Sequence, residues 1–212
     1  METPTPKRRS KKETGRAFPP GRIRITEALT SLLTKKDFGS ITTAEIAETA
    51  GVTEALIYKY FKDKRDLLYQ VLREYLEHYE PRIKMDLRGI KGSLNKLRKL
   101  MWSHLNVYAK DRVFAKILLL QVRSFSDYYI SEPYLLVQRF SGIVLDIIAE
   151  GIENGEIRND IDPRIIRQVV MGAIEQVCLT NVVFNRPIQP EEMGETLCQV
   201  VFKGITKNAE GR

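Results

Sequence analysis

Cysteine, histidine and tryptophan are nearly absent from this chain. Cys178 and Cys198 are its only thiols, His78 and His104 its only imidazoles, and Trp102 its only indole. Two isolated cysteines with no second ligand-like pair nearby argue against a disulfide framework or a zinc site, and they suit a reducing cytosol. No H-E-x-x-H, G-x-x-x-x-G-K-[ST] or strand-linked G-x-G-x-x-G stretch is present, and no Cys, His and acid constellation suggests a nucleophile. The expectation is a protein with no catalytic residues, no metal and no cofactor, and hence no enzyme. Long apolar runs are missing too. Ile117–Leu120 and Gly142–Leu145 fall far short of the roughly 20 residues that cross a bilayer, so no membrane partner is expected. The opening METPTPKRRSKKETGR lacks the apolar stretch of a secretory signal, which points to the cytoplasm. Alternating β-type runs are also lacking, leaving an all-α reading.

Positive charge is what the chain has in excess. Its formal net charge is +7, and residues 1–66 hold 14 Lys and Arg against 9 Asp and Glu. Residues 67–212 are close to balanced, at 20 against 18. An excess confined to one third of a chain fits a polyanionic partner bound there, because phosphate neutralisation and steering both need local charge. Residues 1–20 carry Lys7, Arg8, Arg9, Lys11, Lys12 and Arg16 with almost no apolar residues. They read as a disordered basic arm, either lying on phosphates or serving as a solubilising tail.

Within the basic third, TTAEIAETAGVTEALIYKYF (42–61) reads as two short helices and a tight turn. Thr42 and Glu45 form a T-x-x-E capping box, and Ile46, Ala47 and Ala50 fall on one face of helix 42–50. Gly51 supplies the residue without a Cβ that leaves the helix, and Val52 is an apolar plug. Thr53 is placed to cap a second helix, 54–60, whose Tyr58, Lys59 and Tyr60 are too polar for a core. This is the pattern of a helix-turn-helix, although an ordinary αα-corner shares it. Before it, Ile25, Ala28, Leu29, Leu32 and Leu33 recur at helical spacing; after it, Asp63 caps a long helix through Leu67, Leu68, Val71, Leu72 and Leu76. Residues 21–68 form a compact unit packed through Ile25, Leu29, Ile46, Ile57, Phe61 and Leu68.

Residues 69–212 read as a larger helical domain. Pro81 is expected to break or end the long helix. Further helices are expected over Leu94–Ala109, Phe114–Phe125, from Ser131-Glu132-Pro133 to about Gly151, from Asp162-Pro163 to about Phe184, and over Glu191–Lys207. Trp102, Leu105, Tyr108, Phe114, Leu118, Val122, Phe125, Phe140, Ile143, Met171 and Cys178 either line an apolar ligand cavity or fill a solid core. Gln121, Arg123, Glu175 and Asn181 stand out as polar residues on apolar helices, where burial calls for a partner. Arg123 and Glu175 pair with each other or meet a ligand head group. His78 and His104 read as surface or packing residues.

The run IAETAGVTEALIYKYFKDKRDLL resembles the DNA-binding domain of the tetracycline-repressor (TetR) family of bacterial transcription regulators. Ile46-Ala47, Ala50-Gly51-Val52, Ile57-Tyr58, Tyr60-Phe61, Lys64 and Leu67-Leu68 carry the likeness. The resemblance implies a three-helix DNA-binding domain with a larger ligand-binding and dimerisation domain behind it. It implies that Thr43, Tyr58, Tyr60 and Lys64 hold the DNA backbone, that the recognition helix begins at Thr53, and that Glu54, Ala55, Leu56 and Lys59 face the groove. For Tyr58 and Tyr60 the alternative is packing under the turn. Many members carry a cation, or Gly and Thr, where this chain has Glu54, Ala55 and Leu56, so base preference does not carry over. A homodimer reading an inverted repeat is implied. Its last two helices meet through Ile166, Val169, Val170, Ile174, Leu197, Val200, Val201 and Ile205, or those stripes pack within one chain. GIENGEIRNDIDPRIIRQVVMGAIEQVCLTNVV is similar to the same region in TetR-type regulators of fatty-acid degradation, which implies a repressor released by long-chain acyl-CoA. The alternatives are a repressor of an efflux or other catabolic operon answering a different apolar molecule, and a non-specific architectural DNA-binding protein.

Overall fold

A computed structural model describes residues 18–207. The arm expected over residues 1–20 therefore lies almost wholly outside the described residues. Nine α-helices run through these residues, and β pairing among them is limited to one isolated bridge between Ile157 and Thr206. In chain order they are α1 Pro20–Leu33, α2 Thr43–Ala50, α3 Glu54–Tyr60, α4 Lys64–Asp86, α5 Ser93–Lys110, α6 Arg112–Lys116, α7 Glu132–Glu153, α8 Pro163–Val183 and α9 Pro190–Ile205.

The first three helices close on the residues that the apolar periodicity singles out. Ile25, Leu29, Ile46 and Ile57 are fully buried, with Phe61 and Leu68 beside them. Burying side chains of this size contributes about 2 kcal/mol each, which lets so small a unit hold together. Helix α4 is shared. Its first turns complete this unit, and its later turns pack on α7 in the larger domain, where α5 also packs on α9. The Arg22 guanidinium pairs with Glu74 at 2.8 Å and ties α1 to α4.

Pro81 does not end α4, which continues through it to Asp86. A proline inside a helix costs roughly 3 kcal/mol, through a lost hydrogen bond and a ring clash. Buried Tyr79 and Ile83 anchor the helix on either side of it and offset that cost. Residues 114–125 do not form one α-helix either. After Lys116 the chain widens into a π turn, Ile117–Gln121, tightens to a 3-10 turn, Val122–Ser124, and reaches Phe125 in extended conformation. Such register changes within a helix recur at functional sites.

Candidate DNA-reading face and regulatory core

The turn between α2 and α3 rests on Gly51, which adopts φ 61°, ψ 44°. The Val52 N–H bonds the Ala47 carbonyl at 3.0 Å and the Gly51 N–H bonds that of Glu48 at 3.1 Å, closing a Schellman motif. The capping box is only half formed. Thr42 accepts from the Glu45 N–H at 3.1 Å, while the Glu45 carboxylate turns to Lys36 at 2.6 Å. Thr53 stands at the start of α3 but its side chain makes no capping bond. In its place Thr43 Oγ1 on α2 donates to Glu54 Oε2 on α3 at 2.8 Å, bridging the two helices at the surface that faces outward.

Thr53, Glu54, Ala55, Tyr58 and Lys59 are exposed along one face of α3, and Ile57 is buried on the other. Leu56 and Tyr60 turn away from that face. A Cβ at Gly21 would lie 3.0 Å from the Leu56 side chain and 3.6 Å from the Tyr60 ring, so both side chains pack against the start of α1. This places Leu56 in packing and not at the tip of the face. Lys64 also points inward. Its ammonium donates to the carbonyl oxygens of Phe38 (2.9 Å) and Ile41 (2.5 Å) and lies 4.5 Å from the Phe38 ring centre. Partial burial pushes its pKa down. The lysine therefore braces the loop before α2 from within the protein. An exposed cation that sequence reasoning passed over, Lys62, stands beside the face with no carboxylate within ion-pairing distance among the described residues. Its place in the short α3–α4 connection was the available signal.

In the larger domain the candidates divide. Leu118, Phe140, Met171 and Glu175 line a small core cavity of about 20 Å³, together with Leu76, Tyr79, His104, Phe114 and Val137. Tyr108 packs against His104 and Phe114 of its wall. Leu105, Val122 and Cys178 are also buried, and burial raises the Cys178 thiol to about 11, which keeps it protonated. Ile143 and Gln121 are half-buried. Arg123 and Glu175 form the expected ion pair, at 2.7 Å. Trp102 is not part of this group. It faces α9, with its indole N–H 3.3 Å from Glu191 and the Lys99 ammonium 4.1 Å from its ring centre. Phe125 is also elsewhere, edge-on to Phe38 of the DNA-binding unit at 6.1 Å and under the Arg65 guanidinium.

His104 is the residue that sequence reading undervalued. Its ring packs edge-on to Tyr79 and Tyr108 and lies 5.3 Å from Phe140, and its Nδ1 shares a hydrogen bond with the Tyr79 hydroxyl. Its Nε2 and the Tyr108 hydroxyl are both buried without a protein partner. Burial drives the His104 pKa down to about 3, so the imidazole is neutral. Helical spacing alone places it with Met101, Leu105 and Tyr108 on one face, and that was the signal available.

The apolar stripes of α8 and α9 mostly face inward. Ile166, Val170, Ile174, Leu197, Val201 and Ile205 are buried within the chain. Val169 and Val200 are exposed, as are Ile165, Val183 and Phe184. Among the described residues no helix is long and apolar enough to cross a membrane.

Residues 25–71 match the family described as bacterial regulatory proteins, tetR family, and residues 68–204 match the YsiA-like protein C-terminal region. The chain is 24% identical over 186 residues to the fatty acid metabolism regulator protein of Bacillus subtilis strain 168, covering 88% of this chain and 96% of that one. The crystal structure of FadR from Bacillus subtilis in complex with stearoyl-CoA shares its fold, with a TM-score of 0.78, 24% identity and coverage of 86% and 98%. So does AibR in complex with isovaleryl coenzyme A and operator DNA, with a TM-score of 0.70, 14% identity and coverage of 86% and 98%.

Proposed function

The chain belongs to the TetR family of bacterial regulatory proteins, with a YsiA-like C-terminal region, and we propose that it is a repressor released from its operator by an acyl-CoA thioester. DNA binding through α2 and α3 is its family function. In this reading a cytoplasmic homodimer at the nucleoid binds an inverted repeat, and the protein acts by binding alone. One helix reads too few base pairs to be selective, and the exposed Val169 and Val200 on α8 and α9 offer the apolar contact that a second copy buries.

The observation that carries the ligand reading is the pair of unpartnered polar atoms, His104 Nε2 and Tyr108 Oη, buried among apolar and aromatic side chains. A buried polar atom without a partner costs about 1–3 kcal/mol, and a ligand carbonyl reaching this level would remove that cost. The relatives named for fatty acid metabolism and solved with acyl-CoA support the choice of thioester. A cavity of about 20 Å³ is too small for an acyl chain, so binding has to widen it. Leu118, in the π turn, is the wall residue whose backbone is already out of helical register. Widening moves α6, and α6 touches the DNA-binding unit. The ligand thereby favours an arrangement in which the two reading heads no longer fit their half-sites.

Mass spectrometry of the protein purified under native conditions, followed by titration of an operator complex with acyl-CoA thioesters of increasing chain length, tests this. A bound thioester mass and release that depends on chain length are expected. Release by no chain length removes the acyl-CoA reading.

A further inference from the structure

A surface groove of about 280 Å³ runs between α4, α5 and the start of α6, and it shares Tyr79 and Phe114 with the core cavity. Only these two aromatic residues are common to both walls; their ring centres are 6.3 Å apart and their planes cross at 41°. Larger clefts exist between α1 and α4 (about 570 Å³) and between α1 and α8 (about 520 Å³), but neither shares a lining residue with the cavity. Of these clefts the groove is the one that shares its wall with the core cavity.

Its rim is basic. Arg82 and Lys110 line it, both exposed, and neither has a carboxylate within ion-pairing distance among the described residues. This contrasts with the nearby Lys84, which pairs with Glu80. The one acid in the lining, Asp111, already accepts from the Phe114 N–H at 2.9 Å as the cap of α6. Beyond the aromatic wall, His104 Nε2 supplies a second, independent mark of a ligand: an unpartnered polar atom on a side chain that is 3% exposed and lines the cavity. The sequence from outside to inside is thus cations, aromatic wall, orphan polar atom, apolar pocket. That order matches an amphipathic molecule with an anionic head, a carbonyl and a chain.

We propose that this groove is the entry mouth, where Arg82 and Lys110 hold the phosphates of a coenzyme A head while the acyl chain passes Tyr79 and Phe114 into the core. The assignment rests on the acyl-CoA reading above and adds which residues receive the head. Exposed cations bind phosphate by charge, so the contribution is salt-dependent. It also adds a discrimination, because a free fatty acid has no phosphates to reward these two residues.

Calorimetric titration of the full chain with palmitoyl-CoA and with palmitate tests it. The Arg82→Ala/Lys110→Ala variant is expected to bind palmitoyl-CoA about tenfold more weakly or worse, with a shallower salt dependence, and to keep its affinity for operator. Its affinity for palmitate is expected to stay unchanged. Val107→Trp, which crowds the groove lining, is expected to slow palmitoyl-CoA association. If the wild-type chain binds palmitoyl-CoA and the double variant binds it equally well with the same salt slope, the mouth is elsewhere. If the wild-type chain binds no palmitoyl-CoA, the acyl-CoA reading itself fails and takes this assignment with it.

Discussion

The Lys116 ammonium on α6 lies 2.9 Å from the Asp37 carboxylate and donates to the carbonyl oxygens of Lys36 (2.9 Å) and Leu33 (3.4 Å) at the end of α1. One side chain from the ligand-binding domain thus grips the end of the first helix of the DNA-binding unit. A second grip lies on the same flank, where Arg65 pairs with Asp127 at 3.0 Å and the Tyr69 hydroxyl donates to the same carboxylate at 2.9 Å. The π turn that borders the core cavity lies between Lys116 and Asp127 along the chain. A change in the cavity has two short mechanical routes to the reading heads.

Lys116→Met should therefore affect coupling more than binding. Operator affinity without ligand is expected to stay within about threefold of wild type, while the loss of affinity caused by saturating thioester shrinks by at least about fivefold. Fluorescence anisotropy on a labelled operator, with and without ligand, measures both. An undiminished ligand effect would show that α6 signals without this grip.

On the reading face, Lys59 is exposed and has no ion-pair partner among the described residues. Lys59→Ala should weaken specific binding by about 1–3 kcal/mol, as expected for a base contact. Equal affinities for a selected operator would remove Lys59 from base reading.

Glu54 should act in the opposite sense. Its carboxylate accepts from the Thr43 hydroxyl at 2.8 Å and places negative charge on the exposed face of α3. Glu54→Gln is expected to tighten binding to non-specific DNA severalfold and so narrow the ratio of operator to non-specific affinity. Competition binding at fixed salt reads this, and a widened ratio would contradict it.

Acid should destabilise the core through His104. Its pKa is lowered by burial from 6.5 to about 3, so below pH 6.5 the unfolded chain takes up a proton that the folded chain does not. The stability is fully present above 6.5 and is lost as pH falls toward 3, at a rate on the order of 1 kcal/mol per pH unit. Urea midpoints at pH 7.5 and pH 5 should separate more for wild type than for His104→Gln, which keeps a hydrogen-bonding group for Tyr79 but does not titrate. Equal separations would place the acid sensitivity in other groups.

The dimer contact offers a further check. Val169 is 51% and Val200 68% exposed in the single chain, against 0% for Val170. Val169→Glu/Val200→Glu is expected to yield a monomer in analytical ultracentrifugation with unchanged helix content. A persistent dimer would assign the interface to other surfaces.

The amino-acid order determined those elements whose causes are local. Gly51 needs a left-handed backbone, Asp63, Ser131 and Asp162 bond the N–H groups that follow them, and the apolar stripe of Ile25, Leu29 and Leu33 repeats at the helical period; each acts within a few residues of itself. The family pattern over α2 and α3 was legible for the same reason. What tertiary structure decided were matters of direction and of long-range partners. Lys64 turned inward because two carbonyl oxygens from residues 23 and 26 positions earlier lie within its reach. Pro81 failed to end α4 because buried neighbours hold the helix on both sides. Trp102 left the cavity for Glu191, 89 residues away. His104, one imidazole on an apolar face, became a neutral, half-satisfied wall of the core only when Tyr79 was brought against it. Periodicity assigns a residue to a face, but which polar atoms on that face find partners depends on the elements packed against it.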